Sequence, residues 1–390
     1  MERLNSMDRI LFLSEWFRPD MGGSITIYDN IYNRYDPSEI IVLTKTTKGW
    51  REYDKTSKIP IYRIPHKTFI FLTPESLMIY ILTLIFALYF VLTKNIKVIH
   101  CEKVLRVGLV AYLIKKILKT PYILYAHGEE ITLRISVNKD TMQKIYDSAT
   151  YIIANSNNTK NLLMGLGVNE GKIQIIYPGV DAKTFNPCTK FLPILKRHNL
   201  EKKRILLTVS RIEKKKGHDN VIKSLPMVIK KIPNLVYLVV GKGSEENQLK
   251  HLVQELNLEK NVIFVGEAKS EELPAYFCSC DIFIMMNRDI ENKDIEGFGI
   301  VFIEASACGK PVIGGNSGGA KEAIVDGVTG FLVEPTNLDK ISEKIILLLS
   351  NSALAQKLGS NGRKRAKTRF GWANYYKRIR SIENNIINKT

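Results

Sequence analysis

Short apolar runs rich in β-branched residues recur along this chain, each separated from the next by helix-forming sequence, and that alternation predicts doubly wound parallel sheets. Strands are expected near Ile10–Ser14, Ile40–Thr44, Ile61–Ile64, Val98–His100, Tyr122–Ala126, Tyr151–Ala154 and Ile173–Ile176. A second series begins at Ile205–Val209 and repeats near Val236–Val240, Val262–Val265, Ile282–Met285 and Pro311–Ile313. Between the two series, Thr184–Lys190 has the turn residues of a linker. The expected organisation is an N-terminal domain over 1–183, a linker over 184–200 and a second domain over 201–371, and a length of 390 residues suits two domains. Ligands of open parallel sheets bind at the C-terminal ends of strands, so two such domains facing across a cleft would carry their chemistry in strand-end loops.

The stretch with the most chemistry is Glu296-Gly297-Phe298-Gly299-Ile300-Val301-Phe302-Ile303-Glu304, in which two carboxylates flank a glycine-bounded aromatic turn and the start of an apolar helix. Glycines let bare backbone N–H groups approach a ligand, and the amides opening a helix, with its dipole, favour a diphosphate lying over them. Glu304, two turns into that helix, is placed to accept hydrogen bonds from a ribose diol, and Glu296 to meet a sugar. By spacing alone the pair suits a solvated Glu296 and a lysine-paired Glu304 equally well. The setting weighs against that: Glu304 lies among the apolar and small residues of Ile300–Gly309, where an unpaired carboxylate is costly and a ligand hydroxyl would serve as partner.

The pattern continues into Gly309-Lys310-Pro311-Val312-Ile313, Ser317-Gly318-Gly319 and Asp326-Gly327-Val328-Thr329-Gly330-Phe331-Leu332-Val333. With Val209–Gly217 and Ile175–Asp181 upstream, it resembles glycosyltransferase family 4, retaining enzymes of the GT-B fold that carry a Glu-x7-Glu motif, and the resemblance covers nearly the whole chain. It implies two Rossmann-like domains, with the last helix, over 372–390 and marked by Tyr375-Tyr376, crossing back to the first. It also implies roles for single residues. Arg211 and Lys216 would clamp the phosphates of a leaving nucleoside diphosphate; the neighbouring Lys214 and Lys215 leave the choice of lysine open by charge alone, and the family spacing selects Lys216. Gly22 and Gly23 would form the glycine loop after the first strand, a position that equally suits a plain turn. His127, in His127-Gly128-Glu129-Glu130, would contact the transferred sugar, although a lone histidine is more often a structural hydrogen-bonder. Gly266, in Phe264-Val265-Gly266-Glu267, would lie by the base, and Gly297, Phe298, Gly299 and Ile300 by the diphosphate and sugar. Gly241-Lys242-Gly243 lacks the third glycine of a dinucleotide fingerprint and reads as a turn bordering the nucleotide.

The reaction so implied is transfer of a hexose from a nucleotide-sugar to a hydroxyl, with retention, through an oxocarbenium-like transition state. No cofactor is expected beyond the donor substrate. Nor is a divalent metal, because the basic clamp takes its place. The wording Asp294-Ile295-Glu296-Gly297-Phe298-Gly299-Ile300-Val301-Phe302 is similar to mannosyltransferases acting on lipid acceptors, which favours GDP-mannose over UDP-glucose or UDP-N-acetylhexosamine. The alternatives are an inactive GT-B scaffold subunit, opposed by the presence of Glu296, Glu304, Arg211 and Lys216, and an NAD enzyme on paired Rossmann domains, opposed by the missing G-x-G-x-x-G after the first strand.

Five scattered cysteines suit reduced thiols rather than a disulfide framework, and Cys278 and Cys280 read as helix-end packing. No signal-like run opens the chain, so a cytoplasmic protein is expected. The uncharged segment Ser76–Thr93 approaches bilayer-spanning length, but a span would put strands of one sheet on opposite sides of a membrane. It reads as a helix of the first domain, with an apolar face able to sit at a bilayer surface. Lys94, Lys97, Lys103, Arg106, Lys115, Lys116 and Lys119 cluster around it, within a chain of net charge +18, which suits anionic lipid. Nucleic acid is not expected as a partner, since no zinc finger, RNA-recognition aromatics or basic repeat is present. The expected partners are a nucleotide-sugar, a lipid-linked or oligosaccharide acceptor and an anionic membrane surface.

Overall fold

In the computed structural model, which describes residues 8–20, 22–65, 75–128, 131, 139–290 and 296–389, the chain forms two compact units. One comprises Met1–Tyr177 with Trp372–Thr390 and the other Pro178–Gly371, so residues 184–200 belong to the second unit, where Leu192–Arg197 is helical.

The first unit holds a seven-stranded sheet in the order β3-β2-β1-β4-β5-β6-β7. Its strands are β1 (Arg9–Leu13), β2 (Ile40–Lys45), β3 (Ile61–Ile64), β4 (Ile96–Cys101), β5 (Tyr122–Ala126), β6 (Tyr151–Ala154) and β7 (Ile173–Ile175), and every pairing is parallel. Residues 122–126 are all buried, as a strand covered on both faces requires. Among the described residues four helices precede β5: α1 (Gly23–Tyr32), α2 (Trp50–Thr56), α3 (Glu75–Thr93) and α4 (Val107–Leu118). Ala87 and Phe90 of α3 join Leu11, Leu43, Ile99 and Val110 in one apolar core. The outer side of α3 is open, with Leu77, Ile85 and Leu92 exposed, so the helix is buried on one face only. No described helix is long and apolar enough to cross a membrane.

The final helix, Trp372–Ile387, packs on α1 and β4 within this unit. Tyr35 donates its hydroxyl hydrogen to the fully buried Glu383, and Arg380 bridges Glu383 at 3.0 Å and Glu39 at 2.8 Å. His100 Nε2 lies 3.3 Å from Glu383 Oε1, but burial holds that ring neutral, with a pKa near 3, so the contact is not an ion pair.

The second unit repeats the topology with six parallel strands ordered β10-β9-β8-β11-β12-β13: β8 (Arg204–Val209), β9 (Leu235–Val240), β10 (Val262–Gly266), β11 (Ile282–Met285), β12 (Val312–Gly315) and β13 (Gly330–Val333). Strand β13 falls in the Asp326–Val333 motif, which the apolar-run pattern does not mark as a strand. The expectation of free thiols is corrected here. Cys188 and Cys278 form a disulfide with Cα atoms 5.7 Å apart, because the fold brings together positions ninety residues apart in sequence. Cys101, Cys280 and Cys308 are free and buried, and the Cys280 thiol donates to the Phe277 carbonyl at the end of its helix.

Candidate active site

In each sheet the strand order reverses once, between β1 and β4 in the first unit and between β8 and β11 in the second, and the loops leaving those strands border the crevice where open α/β sheets take ligands. In the second unit the two loops are stitched together. Gly217, closing the loop after β8, has φ 69°, and a Cβ there would stand 1.9 Å from the Met286 carbonyl oxygen, so only glycine lets the chains touch. The Arg288 amide donates to the Lys215 carbonyl at 2.9 Å.

That contact sets Lys216 against Glu296. The ammonium and carboxylate form an ion pair with side chains 13% and 12% exposed. Burial pushes the Glu296 carboxyl up, but Lys216 and its hydrogen bond, helped by Lys215 and Arg211, outweigh this and hold it below the usual carboxylate range. Glu296 is therefore not the solvated loop acid that spacing alone allows. Arg211 projects 60% exposed and pairs with Glu213 at 2.8 Å. Lys215 is buried, 3.6 Å from Glu213, and Lys214 belongs to the same short 3-10 turn.

The loop Glu296–Gly299 is clamped from the next strand end. The Gly319 amide donates to the Glu296 carbonyl at 2.9 Å, and a Cβ on Gly319 would meet the Gly297 oxygen at 2.1 Å. Phe298 is buried against Phe370, ring centroids 5.5 Å apart. Gly299, in the left-handed region at φ 82°, opens the helix Ile300–Ala307, whose first amides lack intrahelical partners. Glu304 lies buried within that helix, and its carboxylate has no hydrogen-bond or ion-pair partner among the described residues. Burial alone raises its carboxyl to about 7. Gly266 ends β10, its φ is 78°, and its carbonyl accepts from the Gly241 amide at 2.7 Å.

In the first unit, Gly22 is the N-cap of α1, its carbonyl accepting from the Thr26 amide at 2.9 Å, and a Cβ on Gly23 would meet nothing within 4 Å. His127 follows β5 and its Nε2 lies 2.5 Å from the Tyr28 hydroxyl, which also donates to the Glu102 carbonyl at 2.8 Å. Glu102 in turn accepts from the Ser14 hydroxyl and the Glu15 amide. Glu129, Glu130, Asp294 and Ile295 lie outside the described residues.

The model for "Glycosyltransferase Family 4" matches residues 38–184 and that for "Glycosyl transferases group 1" matches 193–365. This chain belongs to glycosyltransferase family 4. Its relatives include the Mycolicibacterium smegmatis GDP-mannose-dependent alpha-(1-6)-phosphatidylinositol monomannoside mannosyltransferase, 31% identical over 63% of this chain and 65% of that protein. They also include the Corynebacterium glutamicum GDP-mannose-dependent monoacylated alpha-(1-6)-phosphatidylinositol monomannoside mannosyltransferase, 28% identical over 97% of this chain and 98% of that one. The crystal structure of Anabaena HepE in complex with UDP matches with a TM-score of 0.81, covering 97% of this chain and all of that one at 20% identity, which fixes the fold as GT-B. Family membership sets aside the paired-Rossmann oxidoreductase.

The structure of this glycosyltransferase adds contacts at the candidate site that sequence reasoning did not assign. Glu213 sits between Arg211 and Lys215, Ser317 donates to Asp289 beside Asn287, and Tyr28 holds His127. Glu213 and Ser317 fall in motifs already read from the sequence, and Tyr28 left a trace as one of the aromatics Tyr28, Tyr32 and Tyr35 at helical spacing.

Proposed function

We propose that this glycosyltransferase moves a hexose, with retention, from GDP-mannose to a hydroxyl of a lipid-linked acceptor at the cytoplasmic face of a membrane. The observation that carries the reading is the Lys216–Glu296 pair at the switch point of the second sheet, one helix away from the partnerless carboxylate of Glu304. A nucleotide-sugar supplies what this arrangement lacks. Its diphosphate would take Lys216, Arg211 and the amides that open Ile300–Ala307, its ribose diol would donate to Glu304, and its hexose hydroxyls would donate to Glu296.

In this mechanism negative charge grows on the leaving phosphate while positive charge grows on the sugar ring. Arg211 and Lys216 stabilise the first, and the role we assign His127 is to stabilise the second. Glu296 orients the sugar without attacking it, and a leaving-phosphate oxygen accepts the acceptor proton on the same face. Two cationic side chains at the diphosphate make the reaction metal-independent. Support for the mannosyl donor and the lipid acceptor comes from the names of the mycobacterial and corynebacterial relatives.

Thermal stabilisation by GDP, UDP, ADP, GDP-mannose, UDP-glucose, UDP-N-acetylglucosamine and NAD, with and without EDTA, tests the donor. A shift confined to GDP and GDP-mannose and indifferent to EDTA is expected. A shift confined to uridine nucleotides would move the donor to a UDP-hexose, and no shift with any nucleotide would favour an inactive scaffold.

A further inference from the structure

Helix α3 carries two different faces. Inward, Ala87 and Phe90 are packed into the core of the first unit, and Thr83 is buried. Outward, Leu77, Met78, Ile81, Ile85, Tyr89 and Leu92 are each 44% to 69% exposed, and Leu77, Ile81, Ile85 and Leu92 recur at the spacing that keeps side chains on one side of a helix. Helix α4 packs beside α3 and adds Leu113 and Ile117, the latter 63% exposed. Singly exposed apolar residues are ordinary, whereas a contiguous set on two neighbouring helices marks a surface that something covers.

The charges around this face say what covers it. From Ser76 to Ala126 the only acid is Glu102, which is buried and bonded to Ser14 and Glu15. Lys94 follows α3, and Lys116 and Lys119 stand at the end of α4; none of the three has a carboxylate partner among the described residues. Lys97 nearby has only the exposed Asp8, 3.8 Å away, and Lys103 and Arg106 share Glu15. Both helices return the chain between parallel strands, β3 to β4 and β4 to β5, so they run in the same direction and their lysine-bearing ends lie at one edge. A second copy of the chain would bring these lysines against each other, on a protein already at +18. An anionic lipid surface attracts them and takes up the apolar stripe.

We infer that the α3–α4 face docks on an anionic bilayer, α3 lying in the interfacial plane with its outer side chains among the acyl chains and the lysines at the headgroups. The helix does not span, because its inner face is held in the core. The inference deepens the lipid-acceptor reading by naming the surface that brings this glycosyltransferase to its acceptor.

The test is co-sedimentation of the full chain with vesicles of phosphatidylcholine alone or mixed with phosphatidylglycerol. The wild-type protein is expected to pellet with the mixed vesicles and to be released by salt. Ile85→Glu with Leu92→Glu, and separately Lys116→Glu with Lys119→Glu, should each weaken this on the order of tenfold or more. Both variants should keep the nucleotide-induced thermal shift of the second unit, which reports that they are folded; should the apolar variant lose it, the lysine variant decides. A wild-type protein that stays in solution with mixed vesicles, or a folded variant that pellets as the wild type does, overturns the inference. So does a concentration-dependent dimer in lipid-free sedimentation that both variants abolish. Vesicle binding without any nucleotide shift would leave the docking face standing and defeat the donor reading instead.

Discussion

Replacing Glu304 by glutamine should make the free protein more stable and the donor complex weaker, and both effects follow from one buried carboxylate. Its carboxyl is raised by burial from an ordinary 4.5 to about 7, with no partner to offset the cost of ionisation. The folded chain therefore holds this proton more tightly than the unfolded chain, so stability falls as pH climbs from 4.5 to about 7 and is level beyond. The interval corresponds to about 3 kcal/mol, carried in full above pH 7 and absent near pH 4.5. Glu304→Gln keeps the shape and removes the charge, so urea unfolding should show the variant about as stable as wild type near pH 4.5 and more stable by up to about 3 kcal/mol at pH 8. Glu383, also raised to about 7 by burial, adds a similar slope to both proteins and cancels from the difference. Calorimetric titration with GDP at pH 8 should show the opposite sign. Loss of a hydrogen bond from ribose to a charged acceptor weakens binding by about 1.5–3 kcal/mol. A variant no more stable than wild type at pH 8, or one that binds GDP equally well, would refute the reasoning, because Glu304 would then have a partner in the free protein or none in the complex.

Three further substitutions probe the same site. Glu296→Ala should abolish transfer while preserving the nucleotide-induced thermal shift, and wild-type rates in a coupled nucleotide-release assay would defeat the role of Glu296. Arg211→Ala removes an exposed guanidinium and should lower kcat/KM for the donor by about 10- to 100-fold, with little change in melting temperature because Arg211 is 60% exposed. Gly217→Ala forces a side chain to within 1.9 Å of the Met286 carbonyl at φ 69°, and should cost about 2–3 kcal/mol in urea unfolding together with the nucleotide shift; a wild-type unfolding curve would show that the two loops need not touch.

The interiors of both sheets were legible because doubly covered parallel strands must be continuous apolar runs, and Tyr122–Ala126 and Leu235–Val240 are buried at every position. Strand β13 was not, because it is a short edge strand that begins at Gly330 with Phe331 and Leu332 only partly buried, so nothing in its pattern separates it from a loop. The Cys188–Cys278 disulfide was invisible for another reason: pairing is decided by a 5.7 Å Cα separation that sequence spacing does not carry. At the site, the isolation of Glu304 could be read from its apolar neighbours. The choice of Lys216 over Lys214 and Lys215 rested on family spacing, whereas the structure supplies a physical partner for Lys216 in Glu296. Tyr28 escaped because its partner His127 follows another element, and no local pattern records a tertiary pair, whereas Glu213 pairs with Arg211 and Lys215 two residues to either side in a run where charge alone assigns no partner.

The Lys216–Glu296 pair also bears on why a nucleotide-sugar would be a better ligand than its nucleotide. A buried pair that loses one member leaves the other charge desolvated, which is the costly arrangement. In the proposed mode the diphosphate draws Lys216 away, and a bare nucleoside diphosphate then leaves Glu296 facing nothing. The hexose of an intact donor fills that gap with hydroxyl donors at the moment the lysine departs, so the clamp and the sugar site close together or neither closes well. The same logic applies after transfer. Once the hexose has gone, Glu296 is again without a donor, Lys216 is drawn back to it, and the spent diphosphate loses part of its hold. The ion pair of the free protein would thus act against product retention, a role its 12–13% exposure favours over that of a solvated surface bridge.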